Sequence, residues 1–211
     1  MDKYGINLTS AIVQDTPSYI EYQQKKKNKN EENQPIQIKQ SLSGEVEIGE
    51  WFQSKKEGIK EQLISQLTQM NPYQFEVLMV RLLNKMGYKG LNGQSIVTQK
   101  SNDNGIDGVI YQDALGLQKV YLQVKRYAAN NSVGQPEITA FSGSVKLRHM
   151  DRGVFITTST FTAKAYEAAR SLNIVTIDGD MLTNLMIQYG VGIEVAKSYN
   201  LYRINKDDFT D

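Results

Sequence analysis

In the stretch "NPYQFEVLMVRLLNKMGY" the apolar residues Phe75, Leu78, Met79, Leu82, Leu83 and Met86 recur at spacings of three and four, the repeat of a helix that buries one face. Asn71 before Pro72 gives that helix its start, because an Asn side chain caps free amides and proline's locked φ suits the first turn. Gly87 gives its stop. The stripe is core, not a cofactor contact. Upstream, "IKEQLISQLTQM" from Ile59 predicts one short helix that ends at the same break.

Beyond Gly90 the period changes. "QSIVTQK", "IDGVIYQ" and "QKVYLQVKRY" are short runs of β-branched and aromatic residues, separated by "SNDNG" and "DALGL", so three sequential strands with short turns are expected, paired as an antiparallel meander. Helix then alternates with strand: "SVGQPEITAFSGSVKLRHM", the apolar run "GVFITTST", "FTAKAYEAARSLN", "IVTIDGD" and "GDMLTNLMIQYG". That alternation implies parallel pairing in the last third. The expected fold class is α/β, a mixed β-sheet flanked by helices on both faces.

The beginning of the chain reads differently. "QQKKKNKNEENQPIQIKQ", from Gln23 to Gln40, has too little apolar surface to offset the entropy of ordering its backbone, and is expected to be a linker. Its Lys25, Lys26, Lys27 and Lys29 are either solvated or non-specific phosphate contacts. "AIVQDTPSYIEY" suits a small helix or strand, and "GEVEIGEWF" alternates weakly, as a strand or docking segment would. The expected organisation is an N-terminal extension and linker over residues 1–58, partly disordered, a main domain over 59–195 and a C-terminal tail over 196–211.

Composition narrows the chemistry. A chain of 211 residues with 40% hydrophobic content supports one ordinary core. With 24 Lys+Arg against 23 Asp+Glu the net charge is +1, so any basic surface is local. The absence of cysteine excludes disulfides, thiolate metal sites and thiol nucleophiles, and the one histidine, His149, excludes a multi-histidine centre. No leader-like or membrane-spanning apolar run is present, so a soluble, cytoplasmic protein without a membrane partner is expected.

Against that background the segment from Gly105 to Tyr127, "GIDGVIYQDALGLQKVYLQVKRY", carries polar groups inside otherwise apolar strands: Asp107, Gln123 and Lys125. Side chains two apart on a strand share a face, so Gln123 and Lys125 project together, and Asp107 on the neighbouring strand stands beside them. A carboxylate and an amide oxygen are hard ligands suited to Mg²⁺, which retains several waters, one of them the candidate nucleophile. Lys125 beside it orients or deprotonates that water, or neutralises charge on a phosphorus centre. Together they suggest metal-dependent hydrolysis of a phosphodiester. Each residue also has a plain structural reading, Asp107 as a turn cap and Lys125 as a strand-end lysine reaching solvent. Gly105 and Gly108, flanking Asp107, mark a bend or a close contact.

"NPYQFEVLMVRLLNKMGY", "NDNGIDGVIYQDALGLQKVYLQVKRY", "VGQPEITAFSGSV", "GVFITTSTFTAKA" and "IVTIDGDMLTNLMIQYGVGIEV" resemble, in order, the blocks of the catalytic domain of Mrr-type (type IV) restriction endonucleases, within the PD-(D/E)xK nuclease superfamily. The resemblance covers Asn71 to Val195. It implies that Asp107 is a metal-binding aspartate, Gln123 stands where relatives in the wider fold use Glu or Asp, and Lys125 is the catalytic lysine. It further implies that Glu76 is the acid of the first helix, able to hold a metal through water. An amide at position 123 keeps an oxygen ligand but removes a charge, which disfavours a second metal. Gln135 and Glu137 fall where polar side chains approach such a site, or act as acids and amides of a helix start.

The implied activity is a Mg²⁺-dependent endonuclease, with Mn²⁺ able to substitute, cutting double-stranded DNA in restriction or defence against modified or foreign DNA. Alternatives are a non-cleaving nucleic-acid-binding module on the same fold, and a junction or repair nuclease. Cutting two strands favours a homodimer, at least on DNA. Relatives commonly place a winged helix before the catalytic part, whereas residues 1–58 are too short and polar for a complete one. Among weaker features, Thr157, Thr158 and Ser159 offer hydroxyls to a phosphate or cap a helix, and Asp178 belongs to a turn. Arg126, Lys146, Arg148 and Arg152 are phosphate contacts or a solvated face, and His149 is a surface residue.

Overall fold

The computed structural model describes residues 39–98, 105–149 and 152–209. The Lys-rich stretch up to residue 38, the "AIVQDTPSYIEY" segment and most of the "SNDNG" turn lie outside the described residues. Residues Ile48–Ile193 form one compact unit, which contains every element discussed for the site.

Helix α1 runs over Lys39–Gln69, so the "GEVEIGEWF" segment is helical, not the strand or docking segment its alternation suggests. Gly44, Gly49 and Gly58 lower helix propensity along it. Val46 and Ile48 are exposed, so their alternation does not report a buried strand face. In the later part of the helix, Leu63 and Leu67 belong to the core.

Helix α2, Pro72–Lys85, starts where its sequence signals place it, with the Asn71 side chain accepting from the Tyr73 amide at 3.0 Å. Strands β1 (Gln94–Val97), β2 (Gly108–Tyr111) and β3 (Lys119–Lys125) follow as the antiparallel meander. Between β2 and β3 the turn is organised by Asp113, whose carboxylate accepts from the amides of Leu115, Leu117 and Gln118. After the two-residue β4 (Ser132–Val133) come α3 (Gln135–Lys146), β5 (Gly153–Thr157), β6 (Thr160–Phe161), α4 (Ala163–Ser171), β7 (Ile174–Ile177) and α5 (Gly179–Tyr189). The main sheet has the order β1-β2-β3-β5-β7, antiparallel through β3 and parallel beyond it. The short β4 and β6 pair in parallel as a separate ribbon that the sequence pattern does not announce.

Both sheet faces are buried. On one, Leu122, Val124, Val154 and Ile156 pack with Leu67 of α1, Met79 and Leu83 of α2 and Leu182 of α5. On the other, Tyr121 and Phe155 pack with Ile138, Phe141 and Val145 of α3 and Ala165 and Ala169 of α4. The rings of Phe141 and Phe155 meet edge to face, with centroids 5.6 Å apart. Each such fully buried side chain contributes about 1.5–3 kcal/mol. The mixed sheet with helices on both faces is therefore the expected one, and its two-sided burial makes the polar positions on β3 conspicuous.

From Glu194 the described chain carries a single 3₁₀ turn, Lys206–Phe209, and exposes Leu201, Tyr202 and Ile204. No helix among the described residues is long and apolar enough to cross a membrane.

Candidate active site at the end of the antiparallel strands

Asp107 immediately precedes β2, and it grips β3 twice. Its amide donates to the Leu122 carbonyl at 2.8 Å, and its Oδ2 accepts from the Val124 amide at 2.7 Å. The β2–β3 register pairs Gly108 with Leu122, so one further step brings Asp107 level with Gln123. The carboxylate thus takes the place of a backbone carbonyl where the ladder ends, and it is held on the amide between Gln123 and Lys125.

Strand alternation breaks here for a visible reason. Ile106 and Val109 both pack on the α3/α4 face, so the chain bends between them. Gly105, at φ +80°, makes the turn into the bend, in a left-handed conformation that L side chains rarely adopt. A Cβ on Gly108 would lie 2.9 Å from Cγ2 of Val80, so α2 seats closely on β2. Both glycines flanking Asp107 therefore serve the bend and the close contact that their positions suggest.

Gln123 and Lys125 project toward the α3/α4 face, because the alternate residues Leu122 and Val124 belong to the opposite core. Gln123 is 9% exposed, and its Oε1 is buried without a hydrogen-bond partner in the described structure. Leaving an amide oxygen so costs about 1–3 kcal/mol. Lys125 is half-buried at the strand end. Its carbonyl accepts from the Thr157 hydroxyl at 2.9 Å and the Thr158 amide at 3.2 Å.

Glu76 is buried on the sheet-facing side of α2, which lies across the opposite face from Gln123 and Lys125. Val80, one turn later, meets Gly108. At the other end of the helix, the Arg126 guanidinium donates to the Met70 carbonyl. Glu76 lies one turn before Val80 on the same helix. The structure brings Asp107 onto β3 between Gln123 and Lys125, whereas Glu76 sits on α2, against the opposite face of the sheet.

The neighbouring polar residues are committed to holding the fold. Glu137 accepts from the Tyr127 hydroxyl at 2.6 Å and from the Gly134 amide at 2.8 Å, and so ties the end of β3 to the start of α3. That bond, with burial, pushes the Tyr127 hydroxyl up to about 12. Gln135 is exposed at the first position of α3. The hydroxyls of Thr157, Thr158 and Ser159 are buried and donate to the carbonyls of Lys125, Tyr127 and Asn131, so they are neither phosphate donors nor helix caps. Thr162 caps α4 instead. Asp178 caps α5 and accepts from the Tyr166 hydroxyl at 2.8 Å. Arg148 donates to the carbonyl of Ser144, Lys146 and Arg152 are exposed, and His149 is exposed at φ +58°.

The residues present fit a small divalent cation. A carboxylate and a partnerless buried amide oxygen lie on adjacent backbones, and hard oxygen ligands of this kind suit Mg²⁺ or Mn²⁺.

The restriction endonuclease family, through its Mrr catalytic domain, matches residues 67–186. The chain belongs to this family. The matched Mrr segment includes Glu76, Asp107, Gln123 and Lys125 and all five strands of the main sheet. A type IV methyl-directed restriction enzyme of Escherichia coli strain K12, EcoKMrr, is 41% identical over 139 residues, which cover 65% of this chain and 45% of the relative. The chain thus spans less than half of that protein's length. Among solved structures, the DNA modification-dependent restriction endonuclease AspBHI matches with a TM-score of 0.52 and 24% identity over 63% of this chain and 36% of its own. The MspJI restriction endonuclease, solved with a 27-mer oligonucleotide, matches with a TM-score of 0.50 and 22% identity over 66% of this chain and 33% of its own. These two likenesses establish the restriction endonuclease fold.

Proposed function

We propose that this chain is a divalent-cation-dependent endonuclease that hydrolyses phosphodiester bonds of double-stranded DNA, acting in the cytoplasm in restriction of modified or foreign DNA. The observation that carries the reading is the buried, partnerless Oε1 of Gln123, on the residue next to the Val124 amide that anchors the Asp107 carboxylate. A family of restriction endonucleases supplies the reaction class.

Asp107 and Gln123 hold the cation, and Glu76 assists from α2. When bound, the ion supplies Lewis-acid polarisation of a phosphoryl oxygen and lowers the pKa of a coordinated water. Asp107 contributes the negative charge that attracts it. Gln123 adds a neutral oxygen, which limits the charge of the site and favours one ion over two. Lys125 projects from the same face of β3 as Gln123 and donates hydrogen bonds to the attacking water or to charge growing on the phosphate. Its main chain is fixed by Thr157 and Thr158, so little reorganisation is needed as charge develops.

The similar Escherichia coli protein is described as methyl-directed, and on that likeness methylated duplex DNA is the proposed substrate. Cutting both strands requires two centres or one that reorients, and two copies on DNA satisfy the first route.

The test is cleavage of methylated and unmethylated plasmid with Mg²⁺ or Mn²⁺. The wild-type chain linearises methylated plasmid, and Lys125→Ala, at a half-buried strand-end position, folds but does not. Equal metal-dependent cleavage by Lys125→Ala removes the proposed centre.

A further inference from the structure

We infer that Gly105 is a positioning residue for the cation site: its bare Cα turns the Gln123 amide so that the carbonyl oxygen, not the NH₂ group, faces the ligand position. This rests on the reading of Asp107 and Gln123 as cation ligands.

The geometry is specific. A Cβ built on Gly105 would lie 3.0 Å from Nε2 of Gln123, 3.7 Å from its Cδ and 3.9 Å from its Oε1. The amide thus presents its nitrogen to Gly105 and turns its oxygen away. A methyl group at 105 would have to push that nitrogen, and the amide has little room to give, because Gln123 is buried on β3 between the bonded strands β2 and β5. Its Oε1 has no hydrogen-bond partner in the described structure. No bond within the described structure anchors the oxygen end, and the contact of the nitrogen end with Gly105 is the one that a Cβ would disturb. Rotating the amide by half a turn would exchange an acceptor for a donor, and an NH₂ group cannot ligate a cation.

Gly105 also sets the bend. At φ +80° it takes the chain into Ile106 and Asp107, and the Asp107 carboxylate then reaches the Val124 amide. One residue without a side chain therefore serves both oxygen ligands, through its contact with the first and its backbone conformation for the second.

The experiment is a double-mutant cycle read by Mn²⁺ binding without DNA, from the electron paramagnetic resonance of free Mn²⁺. Gly105→Ala, Gln123→Ala and the double variant are compared with wild type, and melting temperature is recorded for each. Loss of a group that orients a metal ligand typically weakens affinity by about 10–100-fold. Gly105→Ala is expected to weaken Mn²⁺ binding by about tenfold or more, and by clearly less when Gln123 is already Ala, where only its effect on Asp107 remains. Backbone strain lowers the melting temperature in both backgrounds alike. Should Gly105→Ala fail to fold, Gly105→Asn replaces it, since Asn tolerates positive φ while still carrying a Cβ.

If Gln123→Ala weakens binding but the position-105 variant binds like wild type, the positioning role is overturned and the cation site stands. An equal loss from that variant in both backgrounds overturns it too. If wild type has no saturable Mn²⁺ site, or Gln123→Ala binds as wild type does, the cation reading and the positioning role fall together.

Discussion

The carboxylate of Asp107 accepts from the amide of Val124 at 2.7 Å, across the gap where β2 has ended but β3 continues. One side chain therefore completes a backbone ladder and presents charge at the proposed centre. The two roles separate by substitution. Asp107→Ala leaves the Val124 amide without its partner and is expected to cost about 1–3 kcal/mol in urea unfolding. Asp107→Asn retains an oxygen acceptor, so its unfolding midpoint stays close to wild type, while its Mn²⁺ affinity and plasmid cleavage fall. Unchanged cleavage by Asp107→Asn would contradict its place as a ligand.

Glu76 is 5% exposed on α2, an unusual position for a helix acid. A cation that binds only the folded chain raises stability by RT ln(1 + [L]/Kd), about 2.7 kcal/mol at a hundredfold excess over Kd. Titrating Mg²⁺ or Mn²⁺ is thus expected to raise the melting temperature progressively. Glu76→Gln keeps the shape of the side chain but loses its charge. Its melting curve should respond less to the same titration, and Asp107→Asn less again. An equal response in Glu76→Gln assigns Glu76 to the architecture of α2.

The fold was legible because its elements carry separate periods. The α2 stripe from Phe75 to Met86, the cap at Asn71, and the change from meander to helix-strand alternation all report local or one-face burial. The proposed centre drew attention in the sequence because Gln123 and Lys125 interrupt an otherwise apolar strand, and the structure shows that strand buried on both faces. What failed depends on partners far along the chain. The hydroxyl run Thr157 to Ser159 looks like a phosphate cradle until the parallel register sets Thr157 beside Lys125. In α1, exposed Val46 and Ile48 imitate a strand because packing does not constrain them. Gly105 was visible as a bend, but its contact with Gln123 requires two segments to be brought together in space.

Thr158 links the end of β5 to the end of β3 through three hydrogen bonds. Its hydroxyl accepts from the Tyr127 amide at 2.9 Å and donates to the Tyr127 carbonyl at 2.7 Å, while its own amide donates to Lys125. Thr158→Val preserves shape and deletes both hydroxyl bonds, at an expected cost of about 1–3 kcal/mol. Thr158→Ser retains the hydroxyl and should recover most of that stability. Hydrogen exchange at the Tyr127 amide is the direct readout, accelerated in the valine variant and near wild type in the serine variant.

Two tyrosines make stability fall at high pH. Glu137 accepts from Tyr127 and, together with burial, pushes its hydroxyl up to about 12, while burial, with Asp178 as acceptor, does the same for Tyr166. Both lie above the ordinary value of 10. The neutral phenol is therefore favoured in the folded chain, and the unfolded chain loses its proton first. The stabilisation is complete below pH 10 and is lost as pH rises from there through about 12. Urea midpoints measured across this range should hold steady at the lower end and then decline. Because phenylalanine has no proton to lose, Tyr127→Phe combined with Tyr166→Phe starts less stable but declines less steeply over the same interval. A variant that follows the wild-type slope throughout would move the alkaline transition to other groups and detach it from the two tyrosine–carboxylate bonds.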